Sequence, residues 1–207
     1  MNDELDVFKL IRAPRGGCLF VFSGPSGAGK STVCRALLKI VPDVSFSVSH
    51  TTRRARADEV EGRHYFFIDE NEFERMVREG KFAEYATVYG HRYGTSRDQL
   101  EEKLTQGDVL LDVDIQGAKQ IKPLYAAAIS VIILPPSLEE LRVRLQERSQ
   151  NEPSDIERRV AQAELEIGAA PEFDYFIVND RLDDAVAAGK CIIEAERRRL
   201  SRRLGGR

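Results

Sequence analysis

A glycine-rich loop at residues 24–32 constrains the fold of this chain more than any other stretch. The segment is Gly24-Pro25-Ser26-Gly27-Ala28-Gly29-Lys30-Ser31-Thr32 and matches the pattern G-x-x-x-x-G-K-[ST] in full. Glycines allow the backbone to curl so that its N–H groups converge on phosphate oxygens, and Lys30 adds a positive charge for the same anion. The hydroxyl of Ser31 is suited to bind Mg²⁺. The loop therefore predicts a binding site for the phosphates of a nucleotide.

The flanks of the loop have the pattern that such a site requires. Residues 18–22 are a continuous apolar run, which is typical of a strand buried on both faces of a parallel sheet. After the loop, apolar residues recur at helical spacing until Pro42 ends the run; they are Val33, Ala36, Leu37 and Ile40. The loop is therefore predicted to join a buried strand to a helix whose positive N-terminal end faces the phosphates.

Three further apolar runs indicate the rest of the sheet. They lie at residues 109–114, 129–134 and 175–178, and we expect all three to be buried strands. Four strand-like runs, each followed by a helical pattern, predict an α/β fold with a doubly wound parallel sheet of the P-loop NTPase type. From Leu182 the pattern predicts a long helix whose terminal arginines are exposed to solvent.

Two stretches interrupt this alternation and are predicted to be insertions. Residues 45–95 are rich in arginine and tyrosine, and short alternating segments within them predict strands around a loop. In the same stretch, Asp69 and Glu72 form a capping box for a short helix that ends at Gly80. Residues 137–163 predict helices that carry arginines, so we expect positive charge from both insertions near the glycine-rich loop.

Composition and charge exclude several classes of protein. The net charge of −3 over 207 residues gives no overall attraction to nucleic acid or to an anionic membrane surface. No apolar run approaches the ~20 residues of a membrane span, and residues 1–15 are interpreted as a leader without the features of a signal peptide. Cys18, Cys34 and Cys191 are widely spaced, so we expect reduced, buried thiols in a cytoplasmic protein, with neither a disulfide nor a zinc site.

The glycine-rich loop alone leaves three kinds of phosphate chemistry open, those of a kinase, an ATPase and a GTPase. The segment Asp114-Ile115-Gln116-Gly117 matches the D-x-x-G pattern of GTPases. However, the chain contains no N-K-x-D segment, with which GTPases bind the guanine base. A GTPase is therefore disfavoured.

Several longer motifs resemble guanylate kinase of the bacterial type. Besides the loop, they are the run from Ser49 to Phe67 with its arginines, the segment Tyr93-Gly94-Thr95-Ser96, and the segment Leu111-Asp112-Val113-Asp114-Ile115-Gln116-Gly117. The resemblance covers about residues 16–200, and the arginine run and the Tyr-Gly-Thr-Ser segment are more specific than the loop. It implies a nucleoside monophosphate kinase that transfers the γ-phosphoryl group of ATP, bound with Mg²⁺, to GMP.

The resemblance also implies three structural parts: a core (16–44, 97–136 and 164–207), a GMP-binding insertion (45–96) and a lid (137–163). GMP would be held by Ser49, Arg53, Arg56, Tyr65, Glu84, Tyr93, Thr95 and Asp114. ATP would be held by Gly24, Pro25, Ser26, Gly27, Ala28, Gly29, Lys30, Ser31, Thr32 and Asn179. The catalytic residues would be Lys30, Arg53, Arg144, Arg148 and Arg159, and the metal would be held by Ser31 and, through water, by Asp112.

The chemistry of these residue types agrees with that implication. Guanine presents N1–H and an amino group side by side, and a carboxylate such as Glu84 accepts from both, whereas the N1 acceptor of adenine would be repelled. The hydroxyls of Ser49 and Thr95 are suited to donate to guanine O6 or N7. A GMP phosphate is already anionic, so the reaction needs no general base, only alignment and neutralisation of charge.

Two alternatives remain open from the sequence. One is a non-catalytic guanylate-kinase-like module that binds phosphopeptides through the same insertion, although such relatives typically lose the glycine-rich loop that is intact here. The other is a kinase for a different nucleoside monophosphate. The sequence also leaves open whether the chain is a monomer or a homo-oligomer.

Overall fold

The centre of the molecule is a parallel sheet of five strands, seen in a computed structural model that describes residues 16–148 and 153–200, except the side chains of residues 148, 153 and 154. The predicted leader and the arginines beyond residue 200 lie outside the described residues. In chain order the elements are β1 (Leu19–Ser23), α1 (Lys30–Ile40), β2 (Val44–Phe46), β3 (His50–Thr51), β4 (Phe66–Phe67), α2 (Glu70–Arg78), β5 (Phe82–Val88), β6 (His91–Ser96), α3 (Arg97–Gln106), β7 (Asp108–Asp112), α4 (Ile115–Leu124), β8 (Ile129–Leu134), α5 (Leu138–Arg148), α6 (Pro153–Ile167), a 3₁₀ turn (Ala170–Glu172), β9 (Tyr175–Val178) and α7 (Leu182–Arg197).

Helices cover both faces of the parallel sheet, whose strand order is β2-β7-β1-β8-β9. Successive side chains of a strand point to opposite faces, so Phe20 and Phe22 of β1 pack with α1 and α7, while Leu19 and Val21 pack with α3 and α4. The predicted doubly wound α/β fold is therefore confirmed. Ligands of such sheets bind beyond the carboxyl ends of the strands, where the glycine-rich loop follows β1 and Asp112 ends β7.

The sequence pattern predicts four of the five strands of this sheet and misses the fifth, β2. It pairs with β7 in parallel, with Val44 opposite Asp108 and Phe46 opposite Leu110. Strand β2 has only three residues, all half-buried, and lies at the edge of the sheet. Such a short strand cannot be distinguished by its hydrophobic pattern from the alternating segments that follow it. The first residues of the predicted insertion therefore belong to the central sheet.

A second sheet of four strands, in the order β4-β3-β6-β5, lies between β2 and α3 in the sequence. Between its β3 and β5 lies α2, whose first turn is capped as predicted because the Glu72 amide donates to the Asp69 carboxylate at 2.8 Å. Strands β5 and β6 form an antiparallel hairpin with a two-residue turn at Tyr89 and Gly90. This hairpin carries both Glu84 and Thr95, so its position decides where those side chains lie.

Helices α5 and α6 pack on each other through a small apolar cluster of their own, formed by Leu141, Leu145, Ile156, Val160 and Ala163. A side-chain carbon at Gly27 would lie 2.8 Å from Leu141. The glycine-rich loop thus lies directly against α5, in the region that the resemblance assigns to a lid.

The C-terminal part of the chain departs from two expectations. Strand β9 was predicted to be buried, but it is an edge strand, and Phe176 is 68% exposed. The arginines at the end of α7 were predicted to be solvated, but Arg197 donates to the fully buried carboxylate of Asp108 at 2.7 Å. An apolar run does not reveal whether a strand lies at an edge, and an arginine run does not reveal a distant buried acid.

The cysteines follow the prediction only in part. None of the three cysteines forms a disulfide, and Cys18 and Cys34 are buried in the core, but Cys191 on α7 is exposed. None of the described helices is long and apolar enough to cross a lipid bilayer.

Candidate active site

The glycine-rich loop has the curled backbone that its sequence predicts. Gly24 and Gly29 have φ angles of +147° and +86°, a region that favours glycine. At Gly29 an added side-chain carbon would also lie 2.2 Å from the Asn179 amide nitrogen. That amide group donates to the backbone carbonyl of Ala28 at 2.8 Å. Asn179, predicted on the ATP side, therefore supports the loop from the end of β9, and only glycine fits at position 29.

Lys30 and Ser31, the first residues of α1, both contact the Asp112 carboxylate at the end of β7. The Lys30 ammonium forms an ion pair with Oδ1, and the Ser31 hydroxyl donates to Oδ2 at 2.5 Å. Burial by itself would lower the pKa of Lys30, but the charge and hydrogen bond of Asp112 outweigh it and the pKa lies above its usual value. Lys30 is therefore charged at neutral pH, and the three side chains form a polar cluster beside the loop.

Glu84 lies at the bottom of a cavity of about 190 Å³ that also reaches this cluster. An irregularity in the pairing of β5 and β6 puts Glu84 opposite Thr95, whose hydroxyl donates to Glu84 Oε1 at 2.5 Å. Burial, with a contribution from the nearby negative charge of Asp114, raises the pKa of Glu84 to about 7. The walls of the cavity include Lys30, Ser31, Ser49, Tyr65, Glu84, Tyr93, Asp112 and Asp114.

Helix α4 packs against β5 and fixes the position of Glu84. Gln120 clamps the backbone of the next residue, Tyr85, because it accepts from the amide at 3.1 Å and donates to the carbonyl at 2.8 Å. At Gly117 a side-chain carbon would lie 2.4 Å from Glu84 Oε2. Asp114 caps the helix by accepting from the Gly117 amide at 2.8 Å, which leaves its second oxygen for other partners. The predicted base-binding residues Glu84, Thr95 and Asp114 are thus brought together.

The predicted phosphate-binding residues form a second group, of which Tyr65 and Tyr93 line the cavity. The Arg53 guanidinium lies 5.5 Å from the centre of the Tyr65 ring, which in turn lies 5.8 Å from that of Tyr93. Two nitrogens of Arg53 donate to the Glu59 carboxylate, at 2.7 and 3.0 Å. The hydrogen bonds from Arg53 lower the pKa of Glu59 to about 2, so Glu59 stays ionised and fixes the guanidinium. Arg56 is exposed on the same loop.

Sequence reasoning missed the role of Glu59. The residue falls within the Ser49-to-Phe67 motif, six positions after Arg53, and an acid that close to an arginine cluster is a usable signal. The loop conformation that joins the two side chains is not a repeating pattern, so periodicity gives no sign of it.

The predicted lid arginines have different surroundings. Arg159 on α6 donates to the Ser26 hydroxyl in the glycine-rich loop at 2.8 Å. Arg144 on α5 donates to Glu140 and to the backbone carbonyl of Asn179, both at 2.9 Å. The side chain of Arg148 lies outside the described residues. The neighbouring Arg158, which sequence reasoning did not assign, lines the same cavity as Arg159.

That larger cavity, of about 600 Å³, lies between the glycine-rich loop, the β5–β6 hairpin and α6. Its walls carry several residues that sequence reasoning did not assign: Thr87, Val88, Tyr89, Gln116, Gln162 and Glu166. Gln162 and Glu166 follow Arg158 at one-turn spacing on α6, which in hindsight is the only signal in the sequence for them. The cavity has the size of a typical nucleotide or cofactor site.

Comparisons with known proteins agree with this geometry. A family model described as guanylate kinase matches residues 17–196. The chain belongs to the guanylate kinase family. It is 50% identical to a guanylate kinase of Escherichia coli K12 over 189 residues, which cover 90% of this chain and 91% of that one. It is also 50% identical to a guanylate kinase of Coxiella burnetii, over 86% of this chain and 87% of the relative.

A solved structure agrees at the level of the fold. The crystal structure of guanylate kinase from Anaplasma phagocytophilum superimposes with a TM-score of 0.76 at 35% identity, and the match covers 91% of this chain and 90% of that one. The resemblance predicted from the loop, the arginine run and the Tyr-Gly-Thr-Ser segment is therefore confirmed, and with it the enzyme class, a nucleotide-binding kinase.

Proposed function

We propose that the chain transfers the γ-phosphoryl group of ATP to GMP, giving ADP and GDP, with ATP on the glycine-rich loop and GMP against Glu84. One observation carries this arrangement: Lys30 of the loop and Glu84 line the same cavity. A phosphate bound at the loop and a base bound at Glu84 are then joined by one continuous space. Neither a phosphopeptide-binding module nor a kinase for another base is favoured by any of the relatives.

Glu84 would select the base. Its ionised carboxylate accepts from guanine N1–H and from the amino group, and the second oxygen of Asp114 is free to accept from the same amino group. Ser49, on the wall of the cavity, is placed to donate to O6 or N7. Thr95 is fully buried and bonded to Glu84, so it would act by holding that carboxylate. Adenine places an acceptor where Glu84 needs a donor.

Arg53, Arg56, Tyr65 and Tyr93 would hold the GMP phosphate. Arg53 is already fixed by Glu59, and one ring of the tyrosine pair lies against it, so its guanidinium is preorganised. Arg56, exposed on the same loop, can turn toward the phosphate without breaking a side-chain contact in the described structure. Two guanidiniums neutralise the negative charge that otherwise keeps two phosphates apart.

The polar cluster of Ser31 and Asp112 fits Mg²⁺. Both side chains offer oxygen atoms beside the loop, and among the described residues no group of three or more histidines, cysteines and acids forms a metal cage. Mg²⁺ prefers such sparse sites, where it keeps most of its waters and binds nucleotide phosphates. When bound, it would neutralise charge on the phosphates of ATP, with Ser31 as a direct ligand and Asp112 acting through water.

The transfer itself would depend on alignment and charge. Lys30, kept charged by Asp112, would bind the terminal phosphates of ATP at the loop. Arg159, which donates to Ser26 in the loop, would contact the same phosphates, and Arg144 and Arg148 are proposed to approach with the lid. These cations stabilise the charge on the transferring phosphoryl group, and no side chain has to accept a proton.

We also propose that residues 45–96 and 137–163 move as a GMP-binding insertion and a lid against the core, and close to exclude water. The enzyme would work in the cytoplasm, a reducing compartment where cysteines such as these three stay outside disulfide bonds, and as a kinase of GMP it would belong to purine metabolism.

Side-by-side assays of GMP, AMP, UMP and CMP test the proposal. With ATP and Mg²⁺, coupled detection of ADP is expected to give a kcat/KM for GMP about 10⁴-fold above that for AMP, since a mismatched base leaves buried polar groups unpaired. No GMP-dependent ADP would leave the binding module as the better explanation, and equal rates with AMP would point to a different monophosphate.

A further inference from the structure

Tyr89, at the tip of the β5–β6 hairpin, has a backbone conformation that its residue type disfavours. The turn has two central residues, and both have positive φ angles, +49° at Tyr89 and +80° at Gly90. Such turns favour Asn-Gly or Gly-Gly, because a bulky side chain is strained in this region. The turn itself therefore gives no reason for a tyrosine, so another contact must account for it.

That contact is with the lid helix. The Tyr89 ring lies 5.1 Å from the guanidinium carbon of Arg159 on α6, within the range of a cation–π interaction. The same guanidinium donates to the Ser26 hydroxyl of the glycine-rich loop. Three segments that are far apart in sequence thus meet at one side chain: the hairpin, the lid helix and the loop.

One N–H donor of the Arg159 guanidinium is available for a ligand. Its Nε atom is buried and has no hydrogen-bond partner within the part of the chain that the structure describes. Tyr89, Ser26 and Arg159 all line the 600 Å³ cavity beside the loop. An unpaired guanidinium donor at a cavity for phosphates is suited to bind a phosphate oxygen.

We propose that Tyr89 is a positioning residue: its ring holds the Arg159 guanidinium over the loop, where it contacts the transferring phosphoryl group. This rests on the proposed phosphoryl transfer. The same hairpin carries Glu84 and Thr95, so a base bound there also fixes the ring at the tip. Binding of GMP therefore strengthens binding of the ATP phosphates through Arg159, and the coupling works equally in the reverse direction.

Two substitutions separate the ring from the turn. Tyr89→Phe keeps the ring, whereas Tyr89→Asn keeps a residue that tolerates positive φ but removes the ring. The Asn variant is expected to melt at or above the temperature of the parent, yet its kcat falls roughly 3- to 30-fold, the strength of a cation–π contact. The KM for GMP, measured far below saturation with ATP, stays within about twofold, because the coupling acts only when both substrates are bound. The Phe variant keeps the parental kcat, and so does the control His91→Asn, at an exposed position two residues after Tyr89.

Calorimetry with a non-hydrolysable ATP analogue, with and without GMP, gives the second measurement. GMP is expected to tighten binding of the analogue in the parent and in Tyr89→Phe. In Tyr89→Asn this tightening is expected to be smaller, by the same factor by which kcat falls. A Tyr89→Asn variant with parental kcat and parental coupling would overturn the proposal, and so would a Phe variant as impaired as the Asn variant. If the parent did not phosphorylate GMP, the proposed function would fail; the role of Tyr89 would then be judged by the analogue affinity alone, and equal affinities would refute it.

Discussion

Replacing Glu84 by glutamine should make this enzyme more stable and less active. The folded protein holds a proton on Glu84 up to a pKa of about 7, whereas the unfolded chain releases it near 4.5. The stability that this group contributes is therefore complete below pH 4.5 and is lost as the pH rises to 7 and beyond. The difference between the two pKa values corresponds to about 3 kcal/mol of unfolding free energy at pH 8.

An amide cannot ionise, so Glu84→Gln avoids that loss. At pH 8 the variant is expected to melt roughly 6–12 °C above the parent, since each kcal/mol shifts the melting temperature of a chain of this size by about 2–4 °C. At pH 4.5 the two melting temperatures should coincide. Thr95 can still donate to the amide oxygen, so the substitution leaves the buried hydroxyl paired.

Activity should change in the opposite direction. The amide loses one charged acceptor for guanine, which lowers kcat/KM for GMP roughly 10- to 150-fold. In the parent, kcat/KM should rise about tenfold from pH 6 to pH 8 as Glu84 ionises, and the variant should lack that part of the rise. The phosphate of GMP titrates in both proteins, so it cancels when the two profiles are divided.

Calorimetric melting between pH 4.5 and 8, together with initial rates over the same range, measures both effects. Glu102→Gln, at an exposed position on α3, is the matched control and should change neither. A Glu84→Gln variant that melts at or below the parent at pH 8, or that keeps the pH profile of the parent, would show that Glu84 does not have a raised pKa.

Two further substitutions test the remainder of the GMP site. Arg53→Ala should lower kcat/KM for GMP about 10³-fold, by analogy with other arginines that stabilise transferring phosphoryl groups, while the exposed neighbour Arg54→Ala changes it little; equal effects would contradict the assignment. Gly117→Ala would place a carbon 2.4 Å from Glu84 Oε2, so the carboxylate must shift; initial rates should give a KM for GMP raised roughly tenfold and an unchanged KM for ATP, and a rise in both would contradict a local effect.

Features that depend on nearby residues could be predicted from the sequence. The loop at 24–32, the cap at Asp69 and the burial of β1 on both faces are short-range patterns, and the structure has all of them. The family motifs also predicted most of the polar residues that line the cavity with Glu84, and they predicted Tyr65, whose ring lies beside Arg53.

Features that depend on distant partners could not be predicted. The ion pair of Arg197 with Asp108 joins residues 89 positions apart, and nothing in a terminal arginine run points to a buried acid. Strand β2 is three residues long, and Phe176 is exposed because β9 happens to lie at an edge. The contact of Tyr89 with Arg159 arises only when the hairpin and α6 meet above the loop. Tertiary packing decides each of these, not local pattern.

We expect GMP to lie between Glu84 and Arg53 with its phosphate directed at the glycine-rich loop. A crystal structure with GMP, Mg²⁺ and a non-hydrolysable ATP analogue tests it most directly. Guanine N1 and the amino group are expected within hydrogen-bond distance of Glu84, the GMP phosphate on Arg53 and Arg56, and the γ-phosphate of the analogue on Lys30. GMP bound away from both Glu84 and Arg53 would exclude this arrangement.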